Sequence, residues 1–270
     1  MASTSRYIEV LQATSRTFFI PISRLPPGLR EAVASAYLCM RAVDEIEDHD
    51  QMSPQDKAML LSGISRAFQS ANGKLSASAF ASIIRGYQTR LPEVTTEIAE
   101  WAMLAPQPIA HRVWDATAAM AHRMAAWAES GWRIDVESDL DRYTFAVAGA
   151  VGLLLSDLWA WHDGTSTDRH EAVGFGRGLQ AVNIARNRRE DLTRHVDFYP
   201  NGWRDQEMHQ YCRRNLALAD QYTVSLPPGP VLDFCALPLA LARATLDVLE
   251  RGHVKLTREQ VRQIVERVTA

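Results

Sequence analysis

Apolar residues recur at intervals of three and four along nearly the whole chain, the period of helices that each bury one face, and no stretch alternates as a half-buried strand does. Residues 4 to 14 can form a short first helix. Ser15-Arg16-Thr17-Phe18-Phe19-Ile20-Pro21 is expected to break it with hydroxyls, an arginine and a proline. The Pro26-Pro27-Gly28 turn then launches a helix over about 28 to 49, whose apolar face includes Val33, Ala36, Met40 and Val43. Ser53 caps the next, with Pro54 at its first position, and Asn72-Gly73 stops it.

Leu91-Pro92 separates two further helices, and Pro108 to Ser130 reads as another that ends at Gly131. Ser138 or Asp139 starts a helix through Tyr143 to Trp161, in which Gly149 and Gly152 share a face. Each weakens the helix by ~1 kcal/mol relative to alanine, so another helix or a ligand is expected to approach closely there. Helices follow over 168 to about 195, 204 to 224 and 231 to 251, and Thr257 with Gln260 makes a capping box for the last. The fold expected is all-α, one domain over residues 1 to 270.

Two of these helices carry polar stripes. Tyr37, Arg41, Asp44 and Asp48 follow one another at steps of four, three and four; Gln180, Asn183, Asn187 and Asp191 do so at three, four and four. Oxygens on a helix flanked by Leu179, Val182 and Ile184 cost free energy unless something partners them, and an oxygen-seeking cation is one candidate. Magnesium suits such ledges, because it retains waters and lets substrate phosphates complete its shell. Held face to face, the two stripes would bind a diphosphate, with Arg16, Arg41 or Arg186 adding bidentate contacts. Taken alone, an acidic run such as Asp44 to Asp50 is more often a solvated helix end.

Charge and cysteine content narrow the classes. The chain has 29 Lys plus Arg against 32 Asp plus Glu, a net charge of −3 that argues against a nucleic-acid footprint. Cys39, Cys212 and Cys235 are odd in number and lie in apolar sequence, which indicates neither a disulfide frame nor a metal site and fits a reducing, cytoplasmic interior. No secretion signal is visible at the N-terminus. The most apolar window, Phe145 to Trp161, contains Asp157 and is shorter than the ~20 residues a bilayer span needs, so a core helix is expected there.

In combination, these motifs resemble the squalene and phytoene synthase family over roughly residues 10 to 250. Ser15-Arg16-Thr17-Phe18 is similar to its N-terminal substrate motif. Tyr37 to Asp48 is similar to its first aspartate-rich motif, with Glu45 in place of an Asp. Tyr143-Thr144-Phe145-Ala146-Val147-Ala148-Gly149-Ala150-Val151-Gly152 looks like its Tyr-x-x-x-Val-Ala-Gly-x-Val-Gly segment, and Gln180, Asn183 and Ile184 match the opening of its second aspartate-rich motif. The resemblance implies an isoprenoid-synthase helical bundle with a central cavity, Mg²⁺ as cofactor, and two prenyl diphosphates joined head to head through a cyclopropyl intermediate. It implies metal ligation by Asp44, Asp48, Asn183, Asn187 and Asp191, and substrate binding by Ser15, Arg16, Tyr37, Arg41, Val147, Gly149, Gln180 and Arg186. Asp44, Asp48, Asp191 and Tyr143 are the expected catalytic groups, and weak membrane association is compatible with apolar substrates.

The chain also departs from that pattern. Asn187 stands where the family has an aspartate, His195 to Pro200 replaces a Gly-Arg-x-Tyr-Leu-Pro segment, and Thr245 replaces a tyrosine. Two diphosphates bring about six negative charges into one cavity, and losing a carboxylate and an arginine hurts that task most. The leading expectation is therefore a prenyltransferase that ionises one short allylic diphosphate and passes the cation to an aromatic acceptor, as in bacterial family members that prenylate a carbazole. Head-to-head condensation is the alternative, and an isoprenoid-binding homologue without turnover is a third reading. The seven tryptophans are expected mostly to fill the core or its rim.

Overall fold

The computed structural model describes residues 2–71 and 74–269, the side chains of residues 2–5 and of Arg16 excepted. Every regular element among them is helical. The chain falls into two compact units, Met1–Gly131 and Trp132–Ala270.

The first unit holds α1 (Ala2–Thr14), α2 (Arg16–Arg24), α3 (Leu29–Glu47), α4 (Pro54–Gln69), α5 (Ala77–Ile84), α6 (Glu93–Thr96), α7 (Ile98–Ala102) and α8 (Gln107–Glu129). Helix α3 packs against α4, α6, α7 and α8, and its Leu38, Cys39, Ala42, Val43 and Ile46 are fully buried. Polar side chains tie the neighbours to it and to each other. Thr95 Oγ1 donates to the Ala42 carbonyl at 3.0 Å, Lys57 Nζ to the Glu47 carbonyl at 2.6 Å, and Ser65 Oγ to the Ala118 carbonyl at 2.8 Å. Ser53 caps α4 as expected, while the Asn72-Gly73 stop lies outside the described residues.

The segment from Ser15 to Pro21 corrects the sequence reading. Ser15 does end α1, but it is also the N-cap of α2, its Oγ accepting from the Phe18 amide at 3.0 Å, and the helix runs on through Pro21. A proline removes one backbone donor, and the hydroxyl that looked like a breaker supplies the start.

The second unit holds α9 (Glu137–Thr144), a π turn (Phe145–Gly149), α10 (Ala150–Asp163), α11 (Arg169–Thr193), α12 (Asp205–Ser225), α13 (Pro230–Glu250) and α14 (Arg258–Thr269). The helix expected through Tyr143 is thus interrupted by a π turn that periodicity does not reveal. It starts at Glu137, before Ser138 or Asp139, because the Asp139 carboxylate reaches back to accept from the Asp135 and Val136 amides at 3.0 and 3.1 Å. Asp168 caps α11 and Gly164 closes α10 in the left-handed region at φ 80°.

Glycines decide how these helices meet. A Cβ on Gly152 would collide with the Ala172 carbonyl, and one on Gly176 with the Ala148 carbonyl, so α10 with its π turn lies backbone to backbone on α11. Gly174 and Gly178 open the other side of α11 to Leu218, Asn215 and Leu216 of α12. The close approach expected at Gly149 and Gly152 is therefore by a helix. The length argument against a membrane span needs correcting too: Glu137–Asp163 is 27 residues, long and apolar enough to cross a bilayer, although 44% of its apolar window is buried within the protein. Fully buried Trp159 and Tyr222 share a hydrogen bond of 3.0 Å beside it.

Candidate active site

In the first unit, Tyr37, Arg41 and Asp44 stand on one face of α3, and Asp48 is its C-cap. Tyr37 lies half-buried against Phe18, ring centroids 5.6 Å apart, so α2 lends an aromatic wall to the α3 stripe. Burial raises the Tyr37 phenol, and the Ser15 hydroxyl beside it pulls the other way. Ser15, Tyr37, Arg41 and Asp44 thus form one connected polar surface. The side chain of Arg16 lies outside the described residues.

The Arg41 guanidinium forks onto two carboxylates, Nη1 on Asp44 and Nη2 on Glu45. Its Nε is buried and has no partner among the described residues. Burial first, and the Asp48 carboxylate second, push the Asp44 carboxyl up to about 7, against the pull of Arg41. Loss of hydration disfavours the charged form, the like charge one helical turn away adds to this, and Asp44 is partly protonated near neutrality. Asp44 is about one third exposed and Asp48 is exposed, so both oxygens are open to an ion from solvent.

In the second unit, α11 presents its stripe unevenly. Gln180 and Asn187 are half-buried, Asn183 and Arg186 are exposed, and Asp191 is buried. Asn187 Oδ1 accepts from Arg186 Nε at 3.0 Å, and Asp191 Oδ1 from Arg194 Nη2 at 2.6 Å. Both oxygens are thus already engaged, whereas Asn183 faces water. Among the described residues, no cluster of three or more His, Cys, Asp or Glu could hold a metal by itself.

Tyr143 is buried at the end of α9, stacked on Phe198 with ring centroids 4.5 Å apart. Val147 is half-buried in the π turn, and Gly149, buried, meets the Val173 side chain. His195 to Pro200, which departs from the family's segment in sequence, has a structural role of its own. Arg188 holds Asp197 at 2.9 Å, lies 3.6 Å from Asp205, and stacks its guanidinium 3.7 Å over the Tyr199 ring. Asp197 also accepts from the Tyr199 amide at 3.0 Å, and the pair pins the segment that carries Phe198 onto Tyr143. Arg188 lies one step off the stripe, and the Asp two residues before Tyr199 is the sequence signal for this turn.

Residues 11–207 match the family model described as squalene/phytoene synthase. The chain belongs to that family. It is 31% identical to the squalene synthase of Eremothecium gossypii over 91% of its own length and 62% of that protein's. Against the squalene synthase of Schizosaccharomyces pombe the figures are 28%, 96% and 64%. The chain therefore spans somewhat under two thirds of the length of these relatives. Its fold is similar to that of a complex of TcSQS with the ligand E5700, with a TM-score of 0.79, 21% identity, and coverage of 98% of this chain and 85% of that one. A dehydrosqualene synthase complex gives 0.64, 14%, 99% and 95%. The finer resemblance to carbazole prenyltransferases has no counterpart among these relatives.

Proposed function

We propose that the chain is a Mg²⁺-dependent prenyltransferase that condenses two prenyl diphosphates head to head. The observation that carries this reading is that relatives aligned along nine tenths of the chain or more are squalene synthases. The α3 ledge supports the metal dependence. Asp44 and Asp48 offer carboxylates one turn apart; burial chiefly, and the Asp48 charge second, raise Asp44, and a divalent cation would relieve the second of these. A protein site without a third acidic ligand fits an ion that keeps waters and takes phosphate oxygens. When bound, Mg²⁺ would neutralise charge on the diphosphate leaving group.

The chain's own residues do the rest. The Arg41 Nε, buried and unpartnered, is a donor for a phosphate oxygen near Asp44. Loss of diphosphate from one donor leaves an allylic cation, the double bond of the second donor attacks it, and departure of a proton closes the cyclopropane. Tyr143, buried and stacked on Phe198, is the group of the second unit to which we assign contact with a prenyl chain. Three free, buried cysteines accord with a reducing cytoplasmic location, which we adopt as part of this reading.

The test is the chain with Mg²⁺ and farnesyl diphosphate as sole donor. Diphosphate release with a cyclopropyl or hydrocarbon product supports condensation. A specific observation favours a second reading, transfer to an aromatic acceptor: Asn187 contributes no charge and is occupied by Arg186, and Asp191 is paired with Arg194. Diphosphate release only when an indole or carbazole is added would decide for it. On either reading Asn187→Asp is expected to tighten Mg²⁺-dependent diphosphate binding several-fold, measured as the Mg²⁺ concentration for half-maximal binding. Unchanged or weaker binding would remove Asn187 from the metal's surroundings.

The Asp44 carboxyl also sets a pH dependence. Its folded pKa lies above its ordinary value, so the metal-free folded chain binds this proton more tightly than the unfolded one and loses that advantage as pH rises through about 7. Metal binding needs the carboxylate, so affinity rises over the same interval and a proton is released. Calorimetry of Mg²⁺ with inorganic diphosphate, in buffers of different ionisation enthalpy, is expected to show the release at about pH 6 and its near absence two units higher. Equal affinity at both would contradict the assignment of Asp44.

A further inference from the structure

The strongest unassigned feature of the second unit lies at the turn between α13 and α14. From Arg251 to Arg258 the sequence is Arg-Gly-His-Val-Lys-Leu-Thr-Arg, with no carboxylate. Arg251, Lys255 and Arg258 are exposed, and no described carboxylate is paired with any of them. The acids nearby are otherwise engaged: Glu250 binds Arg213 at 2.5 Å, and Arg262 takes both Glu259 and Glu266 at 2.6 and 2.7 Å.

The loop has a defined shape. Gly252 takes φ 81°, and the amides of Arg251, Gly252 and His253 donate to the last carbonyls of α13. That closure leaves Val254 outside, 49% exposed, between the two arginines. Beside it lies a pocket of about 200 Å³ with an apolar floor of Val248, Leu256 and Ile264, and with Arg251 and Arg267 on its lining; Asp247 is the one acid there. Unpaired cations around an exposed valine, next to a small pocket of mixed polar and apolar lining, are what an anionic lipid surface recognises, by headgroup attraction and shallow apolar insertion.

We infer that the Arg251–Arg258 loop and its adjoining pocket dock this chain onto an anionic phospholipid bilayer. Prenyl donors and their products partition into bilayers, which gives such docking a use. The inference stands on the loop, however, and vesicle binding is measured without turnover, so its failure is separate from failure of the proposed reaction. Each basic side chain near an anionic surface contributes about fivefold in affinity, and the contribution is screened by salt.

The experiment is co-sedimentation of the whole chain with phosphatidylcholine vesicles, with and without phosphatidylglycerol. Binding to the anionic vesicles is expected to be at least about tenfold tighter and to weaken with added salt. The triple variant Arg251→Glu/Lys255→Glu/Arg258→Glu should lose at least about tenfold, and Val254→Ser a few-fold, with thermal melts unchanged. Arg66→Glu/Lys74→Glu/Arg85→Glu, an equal change of charge on exposed residues of the first unit, should retain binding. Equal binding to neutral and anionic vesicles, native affinity in the loop variant, or an equal loss in the control variant would each overturn the inference.

Discussion

Asp44→Ala is expected to slow Mg²⁺-dependent diphosphate release by about 100-fold or more, the scale on which removal of a group stabilising transition-state charge is felt. The structure separates this effect from unfolding. Asp44 is about one third exposed, its carboxyl is raised by partial burial and then by its neighbour Asp48, and Arg41 keeps Glu45 as a partner when Asp44 is gone. Removing one of two repelling carboxyls should therefore leave the melting temperature unchanged or slightly higher in the metal-free chain. Mg²⁺ should then add less to that temperature in the variant than in the native chain. Full turnover in Asp44→Ala would take the α3 ledge out of the reaction altogether.

Gly176→Ala and Gly152→Ala are expected to destabilise the second unit by about 1–3 kcal/mol each, as overpacking does, despite the ~1 kcal/mol that alanine gains in helix propensity. Clash wins because the obstructing atoms are the Ala148 and Ala172 carbonyls, which cannot rotate away as a side chain can. Gly149→Ala should cost less, since its new methyl meets Val173 Cγ1 at 3.1 Å. Gly86→Ala meets nothing within 4 Å and should be neutral. Urea melts of the four variants give the order; Gly176→Ala as stable as Gly86→Ala would mean that the two helices are not in backbone contact.

Helices were legible because their signals are local. Ser53 before Pro54 and the Thr257 and Gln260 pair each act within one turn, and each caps where the sequence places it. The ledge on α3 was legible for the same reason, since its spacing alone puts Tyr37, Arg41 and Asp44 on one face. What escaped depends on partners distant in sequence. Gly174, Gly176 and Gly178 look like weaknesses in a helix until Leu218, Ala148 and Asn215 are seen against them. No local rule says that Arg188 will sit on Tyr199.

The π turn at Phe145–Gly149 amounts to a single extra residue carried inside an otherwise ordinary helix. Excising one residue there would let the ladder close as plain α-helix and gain regularity. It would also swing everything upstream, Tyr143 included, by about 100° around the axis. Phe198 would then stack on whatever side chain came round in its place, so a shortened chain could fold better while no longer presenting that phenol.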